Sequence, residues 1–238
     1  MPLSLTLLGA GLILLTVGAD RFVVAAARLA GARGWSPILI GALVVGLGTS
    51  APELLVSTLA ATRGQLDLAL GNVVGSNVAN VTLVLGTAAL ITPIASRINT
   101  VRREGLMMFV ALVVLAALLW NLSLSRLEAL GLVAGMAVAA LLGISWARRD
   151  DASGRAPEMV AVAWRGSVRR EAFVGAATLA MTVVGADLLV RGASRLAESA
   201  GISSAFVGLV IVSVGTSLPE LATALLLGVF ASFVAFVA

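Results

Sequence analysis

Gly48-Thr49-Ser50-Ala51-Pro52-Glu53-Leu54 and Gly215-Thr216-Ser217-Leu218-Pro219-Glu220-Leu221 each place a glutamate inside an apolar stretch of membrane length. A carboxylate in the hydrocarbon region costs about 2.5–3.5 kcal/mol on insertion scales, so a chain that does this twice in one local setting points to something bound there. The match continues outward at a constant offset of 167 positions, 220 minus 53. Gly18-Ala19-Asp20 falls on Gly185-Ala186-Asp187, and Arg28-Leu29-Ala30 on Arg195-Leu196-Ala197, without a gap. Internal duplication of this kind is the sequence sign of a transporter built from two related halves.

The surrounding composition sets the solvent. Hydrophobic residues make up 60% of the 238 and charged ones 12%, with a mean hydropathy of +1.08. Those values exclude a soluble globule with one core and a solvated surface, and imply an all-α polytopic membrane protein. Cysteine and histidine are both absent, which excludes disulfides, thiolate metal sites and imidazole relays and leaves oxygen ligands. The 16 basic residues are all arginine and give a net charge of +4. They cluster between apolar runs, a pattern of membrane topology rather than of nucleic-acid binding. Met1-Pro2-Leu3-Ser4 carries no basic n-region, so the first apolar run reads as retained.

Spanning or near-spanning runs occur at about Leu3–Ala27, Ile38–Ala61, Leu66–Ile94, Leu106–Leu122, Leu127–Trp146, Ala172–Val190 and Ala205–Val229, which predicts seven helices. Odd-numbered loops carry Arg28, Arg33, Arg97, Arg102, Arg103, Arg148, Arg149, Arg155, Arg165, Arg169 and Arg170, and even-numbered loops only Arg63, Arg126, Arg191 and Arg195. The positive-inside rule then puts the odd loops in the cytoplasm and the N-terminus outside. One repeat holds five helices, an odd number, so the second copy enters from the opposite face and the repeats are inverted. This divides the chain into a first repeat over 1–147, a cytoplasmic linker over 148–170 and a second, incomplete repeat over 171–238.

Proline inside each heptad removes a backbone donor, and the flanking glycines tolerate unwound geometry, so the helix is expected to break there. A break frees carbonyls at mid-membrane, and a cation can satisfy them. Thr49 and Glu53 are four apart, with Ser50 beside them. Carboxylate, hydroxyl and carbonyl oxygens suit a hard cation such as Ca²⁺ or Na⁺, and two glutamates match a divalent charge. A kink with each glutamate satisfied by neighbouring helices is the competing reading, which the second copy weakens. In Gly71-Asn72-Val73-Val74-Gly75-Ser76-Asn77-Val78-Ala79-Asn80, Ser76 and Asn80 face the same way and can serve either as ligands or as helix-packing polar groups. The Gly71/Gly75 pair permits close helix approach. Asp20 and Asp187 read as interfacial residues near Arg21 and Arg191, Asp67 as a helix-start charge, and most of the tryptophans as an aromatic belt.

These segments together resemble the sodium/calcium exchanger family of the cation/calcium exchanger superfamily, in its small prokaryotic form. The resemblance implies an inverted-repeat secondary transporter of ten helices in two five-helix repeats, exchanging Ca²⁺ for Na⁺, or for H⁺, by alternating access in a bacterial or archaeal cell (inner) membrane. It implies no cofactor, inorganic cations and the lipid bilayer as partners, and no nucleic acid. By resemblance Glu53 and Glu220 are the central carboxylates. Thr49, Ser50, Thr216 and Ser217 supply hydroxyl or carbonyl oxygens, Gly46 and Ser213 stand where backbone carbonyls are used, and Ser76 and Asn80 match the ligands of the third helix. Adding 167 to Gly71 reaches residue 238, so the counterpart of Gly71–Asn80 is not in the chain. The resemblance therefore leads to the expectation of a C-terminal truncation, with about seven of ten helices present and no exchange by these residues alone.

Two other classes compete with an antiporter. A channel needs a continuous polar lining, whereas polar residues here concentrate at mid-helix motifs. A non-transporting cation-binding membrane module is the second. An enzyme is disfavoured because no nucleophile and base pair or phosphate loop is visible.

Overall fold

The computed structural model describes residues 1–36, 39–92, 98–121, 123–152, 166–222 and 224–225, and no strand occurs among them. Helix α1 spans Pro2–Ala32 and opens on a proline, whose missing N–H costs nothing in a first turn. The second apolar run is broken: a π-helix at Ile40–Val45, a single turn at Gly46–Thr49, then α2 at Ala51–Thr62. Helix α3 covers Leu66–Ile91, with π-helical geometry at Asn80–Val84. Helices α4 (Ile98–Leu118), α5 (Arg126–Ala152) and α6 (Val168–Ala200) follow, and α7 (Ser204–Thr216) contains a π-helix at Val207–Val212 and a turn at Ser213–Thr216.

The duplication read from the sequence recurs in the backbone. Adding 167 to the bounds of the first π-helix gives those of the second, and the turn Gly46–Thr49 maps onto Ser213–Thr216 in the same way. Both breaks fall on a serine in nearly one conformation: Ser50 has φ −84° and ψ 3°, and Ser217 has φ −87° and ψ 2°. The loops after α1 and α6 likewise share a left-handed glycine, Gly34 at φ 79° and Gly201 at φ 65°.

Helices α1 and α6 are copies of each other and pack antiparallel. A Cβ placed on Gly11 would lie 2.9 Å from the Gly185 carbonyl, one on Gly18 would lie 2.8 Å from the Thr182 amide, and one on Gly192 would lie 2.7 Å from the Leu8 amide. The residue numbers fall along one helix as they rise along the other. Two copies of one element running in opposite directions belong to repeats that enter the membrane from opposite faces, which makes the repeats inverted. Without Cβ atoms at these crossings the backbones approach closely, and van der Waals contact replaces the hydrophobic drive that lipid cannot supply. Leu15, Ala25 and Leu189 are buried along the same seam.

The described residues form two compact units. One comprises 1–93 with 160–238, and so holds α1, α2, α3, α6 and α7. In the other, residues 94–159, α4 and α5 carry large apolar side chains such as Phe109, Leu127 and Val133 on their surfaces, and the Arg103 guanidinium lies 5.6 Å from the centre of the Trp146 ring. Among the described residues five helices are long and apolar enough to cross a membrane, and with the two broken runs they account for the seven expected segments. An apolar exterior on spanning helices is what a hydrocarbon solvent requires.

Hydropathy underestimates helix length. Helix α6 extends from Val168 to Ala200 rather than over Ala172–Val190, and α5 continues to Ala152, so helix enters the expected 148–170 linker from both sides. About 20 residues cross hydrocarbon, and the arginine-bearing turns beyond them reach headgroup and water. Residues 153–165 of that linker, and Trp164 among them, lie outside the described residues.

The α1/α6 seam is tested by Gly185→Ala, whose Cβ would meet the Leu15 backbone at 2.8 Å. The expected cost is about 1–3 kcal/mol, read as a lower thermal midpoint in detergent. Gly9→Ala, with nothing within 4 Å, serves as the neutral control.

Candidate functional site

Helices α3 and α7 cross on glycine. A Cβ on Gly71 would lie 2.9 Å from the Leu209 amide, one on Gly75 would lie 2.8 Å from Ser213 Cβ, and one on Gly208 would lie 3.1 Å from the Asn72 amide. The Gly71/Gly75 pair therefore packs against the second repeat, and the side chains beside it meet the break in α7.

Around this crossing the predicted residues take distinct places. Glu53 stands in the first turn of α2, and its Oε1 accepts from Ser217 Oγ at 3.5 Å. Glu220, just past the break in the second repeat, lies within electrostatic reach of Glu53. Thr216 and Ser217 are buried, as are Ser213 and Ser76. Thr216 Oγ1 donates toward the Ser213 carbonyl at 3.1 Å and toward Asn72 Oδ1 at 3.4 Å. Ser76 Oγ donates back to the Val73 carbonyl at 3.2 Å. Asn80 begins the π-helical stretch of α3, a geometry found often at functional sites.

The first repeat contributes less symmetrically. Thr49 Oγ1 donates to the Gly46 carbonyl at 3.3 Å, and Ser50 is exposed rather than buried like its counterpart Ser217. Glu53, Thr216, Ser217 and Glu220 are thus gathered, whereas Thr49 and Ser50 turn to their own segment or outward.

Three buried oxygens have no hydrogen-bond partner among the described residues: Glu53 Oε2, Glu220 Oε2 and Asn80 Oδ1. All three are acceptors, and they come from both repeats and from α3. An unpaired buried acceptor costs about 1–3 kcal/mol, and more when charged. A buried acceptor without a donor fits a cation, whose positive charge can take the place of the missing hydrogen bond. Two carboxylates with neutral oxygens is a donor set for a hard ion such as Ca²⁺ or Na⁺.

The chain is similar to known proteins along most of its length. The sequence model of the sodium/calcium exchanger protein family matches residues 3–145 and 171–235. The chain belongs to the sodium/calcium exchanger family. Inner membrane protein YrbG of Escherichia coli is 37% identical over 230 residues, 94% of this chain and 70% of that protein. Sodium/calcium exchanger MaX1 of Methanosarcina acetivorans is 30% identical, covering 89% of this chain and 70% of its own length. The solved sodium/calcium exchanger from Methanococcus jannaschii superposes with a TM-score of 0.54 at 30% identity, over 95% of this chain and 75% of the solved chain. As a member of this exchanger family the chain is a multi-pass integral membrane transporter of inorganic cations, in a family of exchangers rather than of catalysts.

The sequence reading passed over Asn72 and Ser57. Asn72 is fully buried and donates to Ser57 Oγ at 2.9 Å and to the Glu53 carbonyl at 3.3 Å. A signal was present: Asn72, Ser76 and Asn80 recur every four residues, so they line one face of an otherwise apolar helix. Outside the site, Asp187 bonds Arg191 Nε at 2.8 Å and also pairs with Arg63, while Asp20 is exposed beside Arg21.

Gly75→Val should push α3 from α7 and weaken cation-dependent thermal stabilisation, with a cost of about 1–3 kcal/mol to the fold. Gly86→Val, on the same helix with open space around it, should leave both readings unchanged.

Proposed function

We propose that this exchanger moves Ca²⁺ against Na⁺ by alternating access, at a site shared between Glu53 and Glu220. The observation that carries the reading is the set of three buried acceptors, drawn from both repeats and from α3, that have no donor among the described residues. Two carboxylates balance one Ca²⁺, and the same oxygens suit Na⁺ in turn. Thr216 and Ser217 would complete the shell on one side and Thr49 and Ser50 on the other, with the Gly46 and Ser213 carbonyls at the breaks and Ser76 and Asn80 from α3. The names of MaX1 and of the solved Methanococcus jannaschii protein, both sodium/calcium exchangers, support the same ion pair. Site residues on two inverted repeats let small rotations of one repeat against the other open the site to alternate faces.

Glu53→Gln or Glu220→Gln should abolish Na⁺-dependent Ca²⁺ uptake into everted vesicles carrying the protein. Near-normal uptake in either variant would overturn the assignment. Replacing the Na⁺ gradient by a pH gradient identifies the counter-ion: uptake driven by pH alone would make it H⁺.

For orientation we propose an external N-terminus and a cytoplasmic 148–170 linker, supported by the eleven arginines of odd loops against four in even ones. The chain contains no cysteine, so Ser153→Cys introduces a single thiol. It should resist an impermeant thiol reagent in intact cells and react once the membrane is opened.

A further inference from the structure

Asn72 stands outside the proposed ligand set, yet its side chain joins three of the segments that carry it. Both N–H groups of its amide are used on α2, one toward Ser57 Oγ at 2.9 Å and one toward the Glu53 carbonyl at 3.3 Å. That use fixes the orientation of the amide, because Nδ2 is its only donor atom, and leaves Oδ1 to face Thr216. Thr216 Oγ1 has a single proton and two acceptors within reach, Asn72 Oδ1 at 3.4 Å and the Ser213 carbonyl at 3.1 Å.

The Ser213 carbonyl also accepts the Ser217 amide at 3.0 Å. A carbonyl oxygen has two lone pairs, so both are engaged while Thr216 donates to it. A cation can draw on that oxygen only if one hydrogen bond is released. Releasing the Ser217 amide would unwind the turn Ser213–Thr216. Releasing the hydroxyl requires only that its proton rotate toward Asn72 Oδ1.

We infer that Asn72 is a positioning residue of the exchange site: its Oδ1 receives the Thr216 hydroxyl hydrogen bond and thereby frees the Ser213 carbonyl for the cation, while its amide holds α2 in register with α7. The inference rests on the exchanger reading, since the Ser213 carbonyl needs freeing only if a cation enters beside it. Asn72 then connects the two half-sites, with Glu53 on one side and Thr216 on the other. A purely structural asparagine would affect folding; this one also sets cation affinity, and does so through Thr216.

The test is a double-mutant cycle on Ca²⁺ affinity, measured by calorimetric titration of the purified chain in detergent. Asn72→Ala should weaken binding about tenfold, the scale of one lost hydrogen bond; Thr216→Val removes the hydroxyl that competes for the Ser213 carbonyl, so in that background adding Asn72→Ala should change affinity less than about twofold. Ser57→Ala removes a partner of the amide but leaves Oδ1 in place; it should lower the thermal midpoint and keep affinity within twofold of the parent. If Asn72→Ala does not fold, Asn72→Ser replaces it, being too short to reach Thr216. An additive cycle, in which Asn72→Ala costs about tenfold in the Thr216→Val background as well, overturns the inference alone, as does affinity within twofold of the parent for the Asn72 variant. A parent chain that binds neither Ca²⁺ nor Na⁺ overturns the exchanger reading and this inference with it.

Discussion

In hydrocarbon every backbone polar group has to find its partner within the protein, and this chain interrupts two of its own spanning helices. The interruptions at Ser50 and Ser217 have matching backbone angles and matching π-helical segments before them. Each is followed two residues later by a proline and three later by a glutamate. The rest of the first unit can be understood as what makes those breaks tolerable. Side-chain hydroxyls fold back onto carbonyls before each break, from Thr49 to Gly46 and from Thr216 to Ser213, adding hydrogen bonds that can also let go.

Close packing supplies the second requirement. Side chains cannot share a site across two repeats unless the helices carrying them approach almost backbone to backbone. Glycine meets this need at two crossings, α1 with α6 and α3 with α7. The first joins copies of one element around a pseudo-twofold relation, in which the contact of Gly18 with Thr182 is mirrored by that of Gly185 with Leu15. The second joins unlike elements and brings Asn72 and Ser76 to the α7 break.

Ion pairs at the edges of this unit do not follow the repeat. Arg28 bonds the buried Glu171 at 3.3 Å, whereas the positions related to them by the 167 offset are Arg195 and Ser4. Asp187 holds Arg63 and Arg191, while its copy Asp20 is exposed beside Arg21. Duplicated sequence therefore yields matched backbone but unequal electrostatics. Charge partners depend on whichever side chains the tertiary packing brings near, and the two faces of a membrane protein need not be equivalent.

Much of this was legible in the amino-acid order alone. The run of apolar residues determines spanning helices because only helix satisfies its own backbone in lipid, and the 167-residue offset with five helices per repeat determines inversion by parity. Proline with glycine at each heptad determines a break, since the missing N–H and the permissive φ act locally. Helix ends were less legible, as hydropathy sees only the part of a helix in hydrocarbon and misses the arginine-bearing turns of α5 and α6. The role of Asn72 was not legible, because an asparagine on a helix says nothing about which carbonyl or hydroxyl lies opposite. Only the tertiary packing of α3 against both α2 and α7 decided that, by placing Ser57 and Glu53 on one side of the amide and Thr216 on the other. The unequal burial of Ser50 and Ser217 was decided there too, since burial depends on which neighbouring helix covers a residue and two identical local motifs can be covered differently.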